Sequence, residues 1–123
     1  MSEPSYPEDL LYHPEHDWAR VDGSEATLGI TWFAQDSLGE VVFFDGPQPG
    51  DMISKDSPYA EVESVKAVSD VIAPLSGEVI EVNADLADAP EAVNADPYGA
   101  GWMVRIRLDD PAEAEALMDA SAY

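Results

Sequence analysis

The chain has 123 residues, 46% of them apolar, and carries 5 Lys+Arg against 26 Asp+Glu for a formal net charge of -21. That size and apolar share fit one domain with its own core, covering 1-123, and the acid excess excludes nucleic acid and anionic membrane surfaces, which need basic footprints. There is no cysteine, which excludes disulfides, thiolate metal sites and a cysteine nucleophile, so any thiol chemistry requires a cofactor that brings the sulfur.

The first stretch, "MSEPSYPEDLLYHPEHDW", lacks the basic and apolar regions of a secretory signal and the Arg-rich look of a transit peptide. A cytoplasmic location is expected. No apolar run approaches bilayer-spanning length, so no membrane association is expected. His13 and His16 have a spacing that metal sites use, but two imidazoles without cysteine make a weak donor set, and no metal is expected. The carboxylates spread along the whole chain, where their mutual repulsion destabilises a compact state at low salt. Screening contracts to roughly 3 Å near 1 M salt. The acidic composition therefore predicts a halophilic protein from a salt-loaded cytoplasm.

Short apolar runs then recur between turn residues. "EATLGIT" (25–31) follows the turn "VDGSE". "TWFAQDSLG" predicts a short helix near 32-38, with Phe33 and Leu38 on its apolar side and Gly39 as the stop. "VVFF" precedes the Gly/Pro-rich turn "DGPQPGD", and "PYAEVES" alternates, Ala60 and Val62 opposing Tyr59, Glu61 and Glu63. "SDVIAP" and "GEVIEV" follow, separated by "LSG". The Ala/Asp/Pro/Gly-rich stretch 83–101 reads as a loop with one helical turn near Leu86–Ala89. "WMVRIRL" alternates Trp102, Val104, Ile106 and Leu108 against Met103, Arg105 and Arg107. A C-terminal helix is predicted near 111-119, with Asp110 as N-cap and Pro111 at its first position. Period-2 strands with regular turn signals predict a mainly β sandwich or barrel of short antiparallel strands.

One segment carries chemistry. In "YAEVESVKAVSDVIAPLSGEV" a strand enters through Val62 and another leaves through Val71, with Ser64–Ser69 as the connection and Lys66 near its tip. Lysine is rare here; the only other is Lys55. An amine on a protruding, rigid hairpin can be handed to another enzyme's active site. An exposed lysine is more often a solvated charge, and Glu63 could be its ordinary ion-pair partner, an interaction typically worth about 0–1 kcal/mol.

"ESVKAVSD" resembles the lipoylation hairpin of the glycine cleavage system H protein family, and "GITWFAQDSLGEVVF", "SGEVIEVN" and "NADPYGAGWMVRIRL" extend the resemblance over nearly the whole chain. It implies a hybrid barrel-sandwich, as in lipoyl and biotinyl domains. It implies that Lys66 carries lipoic acid through an amide, that Glu63 is the acidic position read by a lipoate-attaching enzyme, and that Gly77 is the family's turn glycine, assigned with Glu63 to ligase recognition. Gly50 lies in a second tight turn, "PQPGD". By the same resemblance the lipoylated arm accepts an aminomethyl group from glycine decarboxylase (P protein) and presents it to a tetrahydrofolate-dependent aminomethyltransferase (T protein). Dihydrolipoyl dehydrogenase (L protein) reoxidises the arm. The chain is then a non-catalytic carrier, and the cofactors do the hard chemistry. An acidic cleft would hold the loaded arm's amine, with Glu15, Asp17 and Asp70 as candidates. Asp17 replaces the usual Glu of "HEW", and Ser37 stands where some members have histidine. The rivals are a lipoyl domain of a 2-oxoacid dehydrogenase, whose usual "DKA" is absent, and a biotin carrier, whose "MKM" is absent. An H-like lipoate relay and a β-domain with Lys66 unmodified complete the alternatives.

Overall fold

Alternating apolar residues give each strand one face to bury, and the chain answers with two antiparallel sheets. The computed structural model describes residues 6–123. The larger sheet has the order β1-β2-β3-β9-β8-β5, built from β1 (Leu11–His13), β2 (Asp17–Asp22), β3 (Glu25–Ile30), β5 (Met52–Ile53), β8 (Gly77–Val82) and β9 (Val104–Leu108). The smaller has the order β4-β6-β7, from β4 (Val41–Asp45), β6 (Pro58–Ser64) and β7 (Val68–Ile72). Their inner faces meet in a core that includes Leu28, Val41, Phe44, Val62, Val71, Leu75, Val79, Val104 and Ile106.

Helix α1 (Trp32–Leu38) forms where expected. The Thr31 hydroxyl accepts from Ala34 N–H at its start, and Gly39, at φ 82°, ends it. Two details break the strand alternation. A bulge between Val41 and Phe43 leaves Val42 and Phe43 both exposed, and another near Pro58–Ala60 lets Tyr59 and Ala60 both be buried. Met103 is fully buried, although it precedes the start of β9 on the side read as polar. The three tryptophans belong to a second cluster: Trp18 and Trp32 lie inside it with Tyr12, and Trp102 packs against it.

The loop 83–101 holds two one-turn helices, α2 (Asp85–Asp88) and α3 (Ala92–Ala95), where one was expected. The C-terminal helix expected near 111-119 is corrected to a 3-10 helix over Pro111–Ala116. Asp110 caps it through Ala112 N–H, as read. It stops early because Met118 N–H and C=O pair with Tyr12 in an antiparallel bridge, which requires extended backbone. No helix among the described residues is long and apolar enough to cross a membrane.

Candidate functional site

The hairpin β6–β7 turns in three residues, Val65–Ala67, tighter than the Ser64–Ser69 connection read from sequence. Ser64 explains the tightness. Its backbone N–H donates to Ala67 O (2.8 Å), its hydroxyl donates to the same oxygen (3.2 Å), and Oγ accepts from the N–H groups of Lys66 (3.3 Å) and Ala67 (3.1 Å). Ser64 is buried and its partners Lys66 and Ala67 are exposed, so these bonds are partly shielded from water. Val65 N–H donates to Glu40 O (3.1 Å), which ties the tip to the start of β4.

Lys66 is exposed, and among the described residues its Nζ has no hydrogen-bond or ion-pair partner. Glu63 does not pair with it. Glu63 stands between Phe43 and Val68 on the outer face of the small sheet. The lysine stem passes over Gly39, where a Cβ would lie 3.4 Å from Lys66 Cε. Asn94 fixes this ground from the loop. Its amide donates to Gly39 O (2.7 Å) and Gln35 Oε1 (3.0 Å), and its Oδ1 accepts from Val41 N–H (2.8 Å).

Beside the hairpin lies a cleft of about 410 Å³. Ala67 and Val68 border it, so it reaches the foot of the lysine turn. Buried Ile30, Val62 and Val71 make an apolar floor, and Glu15, Asp17, Ser37 and Asp70 all line it. The three carboxylates proposed from sequence are thus brought to one cavity, but they differ in kind. Glu15 and Asp70 are exposed. Asp70 sits on the edge strand β7 opposite Glu61, and it borders the cleft from the sheet's outer face. Asp17 is 2% exposed, and its Oδ2 is the one buried side-chain oxygen among the described residues without a hydrogen-bond partner. Burial pushes its carboxyl well above the ordinary aspartate value, and the Glu15 charge adds to the shift.

The turn that carries Glu15 and Asp17 is held by both histidines. His13 Nδ1 accepts from Glu15 N–H (3.1 Å), which leaves Nε2 to donate to Asp56 Oδ1 (2.6 Å). That bond holds the Asp56 carboxyl below its usual range. His16 adopts φ 72°, a conformation costly for a residue other than glycine. Its ring lies against Phe33 with centroids 4.5 Å apart, and its Nδ1 meets the Tyr123 hydroxyl at 2.6 Å. Tyr123 also reaches Thr31 Oγ1 (3.0 Å) and so links the cleft wall to the cap of α1. A larger open depression of about 560 Å³ surrounds Gly39 and Glu40, but its polar centre is spent internally, Asn94 bonding Gln35.

Two glycines singled out in the sequence lie away from the lysine. Gly77 is in β8 of the large sheet, where a Cβ would stand 2.2 Å from Arg107 O. Gly50 holds a turn at φ 96°. Sequence reasoning missed Ser64, Asn94 and Tyr123. Only Ser64 carried a local signal, a hydroxyl residue at the mouth of a short turn.

A family model described as glycine cleavage H-protein matches residues 10–123. The chain belongs to that family. Among curated members, a glycine cleavage system H protein of Anaeromyxobacter sp. (strain K) is 56% identical over 117 residues, 95% of this chain and 91% of the relative. The one from Magnetococcus marinus is 50% identical over 119 residues, 97% of this chain and 85% of the relative. The crystal structure of a glycine cleavage system H protein from Mycobacterium marinum superposes with a TM-score of 0.87 at 37% identity, covering 95% of this chain and 94% of that one. The two sheets are thus the hybrid barrel-sandwich expected of this H-protein family, whose membership implies a lipoyl carrier role.

Proposed function

We propose that this chain carries lipoic acid in amide linkage to Lys66 Nζ and moves an aminomethyl unit from glycine decarboxylase to a folate-dependent aminomethyltransferase, with dihydrolipoyl dehydrogenase resetting the arm. The observation that carries this reading is an exposed lysine, without a side-chain partner among the described residues, on a serine-knit turn next to a cleft lined by buried Asp17, whose Oδ2 has no hydrogen-bond partner. When bound, lipoate supplies the dithiolane sulfur that a chain without cysteine lacks.

The residues present fit that group. Ser64 holds the turn that carries Lys66, and Gly39 opposes no side chain to the lysine stem that lies over it. Amide formation removes the lysine charge, and no ion pair among the described residues is broken in doing so. The apolar floor of Ile30, Val62 and Val71 keeps water away from a seated arm. Asp17, Glu15 and Asp70 supply negative charge for a cationic amine. Its approach would favour the ionised form of Asp17, which would give up its raised-pKa proton as the amine is seated.

Intact-mass and peptide mapping of protein from its own host tests the reading. A lipoyl adduct on Lys66 is expected; a biotin adduct, or an unmodified lysine in glycine-fed cells, overturns it. Glycine–bicarbonate exchange with the decarboxylase then separates the glycine system from other lipoyl carriers. For the cleft, unchanged hydrolysis lifetimes of the loaded arm in Asp17→Ala and Asp70→Ala would remove these carboxylates from the assignment.

A further inference from the structure

The outer face of a small antiparallel sheet is ordinarily polar. Here it is apolar at one end. Of the large hydrophobic side chains exposed among the described residues, Val42 (42%), Phe43 (53%), Val65 (67%) and Val68 (58%) all flank the lysine turn. The bulge in β4 is what exposes the first two. Strand register then orders the face into rows. Phe43, Glu63 and Val68 stand side by side across β4, β6 and β7, with Val65 at the tip beyond them. Two residues further down each strand, about 7 Å away, stand Asp45, Glu61 and Asp70. An apolar row with one central carboxylate is thus followed by a row of three acids.

We propose that this face is the docking surface for the enzyme that attaches the lipoyl group, with Phe43 as its apolar anchor. The inference rests on the lipoyl-carrier reading of Lys66. The occupant follows from where the reaction takes place. The attaching enzyme must bring an activated lipoyl carbonyl to Nζ itself, where a C–N bond forms as the activating group leaves and Nζ loses a proton. It therefore covers the residues around Lys66. Enzymes that act on the sulfurs have their reacting atoms at the far end of the arm, not at Nζ. The partner's chemistry follows from the rows. Its active-site mouth carries an apolar rim to receive Phe43, Val65 and Val68, a cation for Glu63, and a basic strip facing Asp45, Glu61 and Asp70. The apolar anchor supplies affinity where salt screens the acids, and the charges set orientation.

The test uses the unmodified full chain, the purified lipoate-attaching enzyme of the same host, lipoate and ATP, with modification read by intact mass and Lys66→Arg as the blank. Phe43→Ser should lower kcat/KM for the carrier by about tenfold or more, as loss of an aromatic anchor does. Val68→Thr should lower it less, and KM for lipoate should stay unchanged. Both positions are exposed, so melting temperatures should match the wild type. Phe43→Ser protein loaded by long incubation should serve the decarboxylase as well as wild type does. Lipoylation of Phe43→Ser within about twofold of wild type overturns the docking proposal, as does a loss that appears only with the decarboxylase. If wild type itself is not modified on Lys66, the carrier reading fails, which is a separate result.

Discussion

Replacing Asp17 by Asn should stabilise the unmodified protein at neutral pH while weakening its hold on the loaded arm. The side chain is almost wholly buried, one carboxyl oxygen has no partner, and burial followed by the Glu15 charge raises its pKa well above the ordinary value. A raised acid pKa means that the folded state holds the proton more tightly than the unfolded chain. This contribution to stability is fully present below the unfolded pKa of about 3.9 and is lost as pH climbs through the folded pKa. The cost at pH 7 has a ceiling. Keeping such a carboxyl protonated three pH units above its unfolded pKa costs about 4 kcal/mol, at roughly 1.4 kcal/mol per unit. Asn keeps the shape and cannot ionise, so the expected gain at pH 7 is up to about 4 kcal/mol. That is up to roughly 16 °C in melting temperature for a domain of this size. Calorimetric scans of both proteins from pH 3.5 to 8 check it. The gain should vanish near pH 3.5 and grow with pH. Equal stability across the range, or a less stable variant at pH 7, would refute the reasoning.

Three further outcomes are expected. Ser64→Ala strips the hydroxyl that knits the lysine turn and should cost about 1 kcal/mol; slower lipoylation should accompany faster hydrogen exchange at the Lys66 and Ala67 amides, and unchanged exchange would count against the turn assignment. Gly77→Ala drives a Cβ to 2.2 Å from Arg107 O, so β8 and β9 must part, at a cost of about 1–3 kcal/mol. Lipoylation of the folded fraction should be normal; an unchanged melting temperature with slow lipoylation would instead make Gly77 a recognition residue. Molar KCl should raise the melting temperature of this -21 chain, because screening relieves carboxylate repulsion; a flat or falling midpoint would dispose of the halophilic reading.

Alternation and turn residues made most strands legible, and Gly39 marked the end of α1, while the Thr31 cap at its start went unread. Lys66 and Glu63 were singled out through the motif around them, and the structure places both on the β6–β7 hairpin. The cleft was not legible from local pattern, because it joins residues 15–17, 33–38 and 67–72, which only the fold brings together. Asp17 reads in sequence as one acid among 26. Its burial comes from pairing with His13 on one side and Ile30 on the other. Tyr123 has no neighbour in sequence that announces His16, 107 residues away. The bulges hid for a related reason: one inserted residue reverses which side chains face outward, and Val42–Phe43 reads as an ordinary apolar pair.

The position of β7 at the edge of its sheet has one more consequence. An edge strand leaves alternate peptide N–H and C=O groups without a strand partner, and this one runs along the cleft from Val68 to Ile72. Part of the cavity's polarity is therefore written in main chain, which substitution cannot remove. Side chains around it can be replaced while the peptide rail stays. Mutational scans should accordingly find the rim of this cleft more tolerant than its polar character suggests, and insertions or deletions in 68–72 far more damaging than replacements.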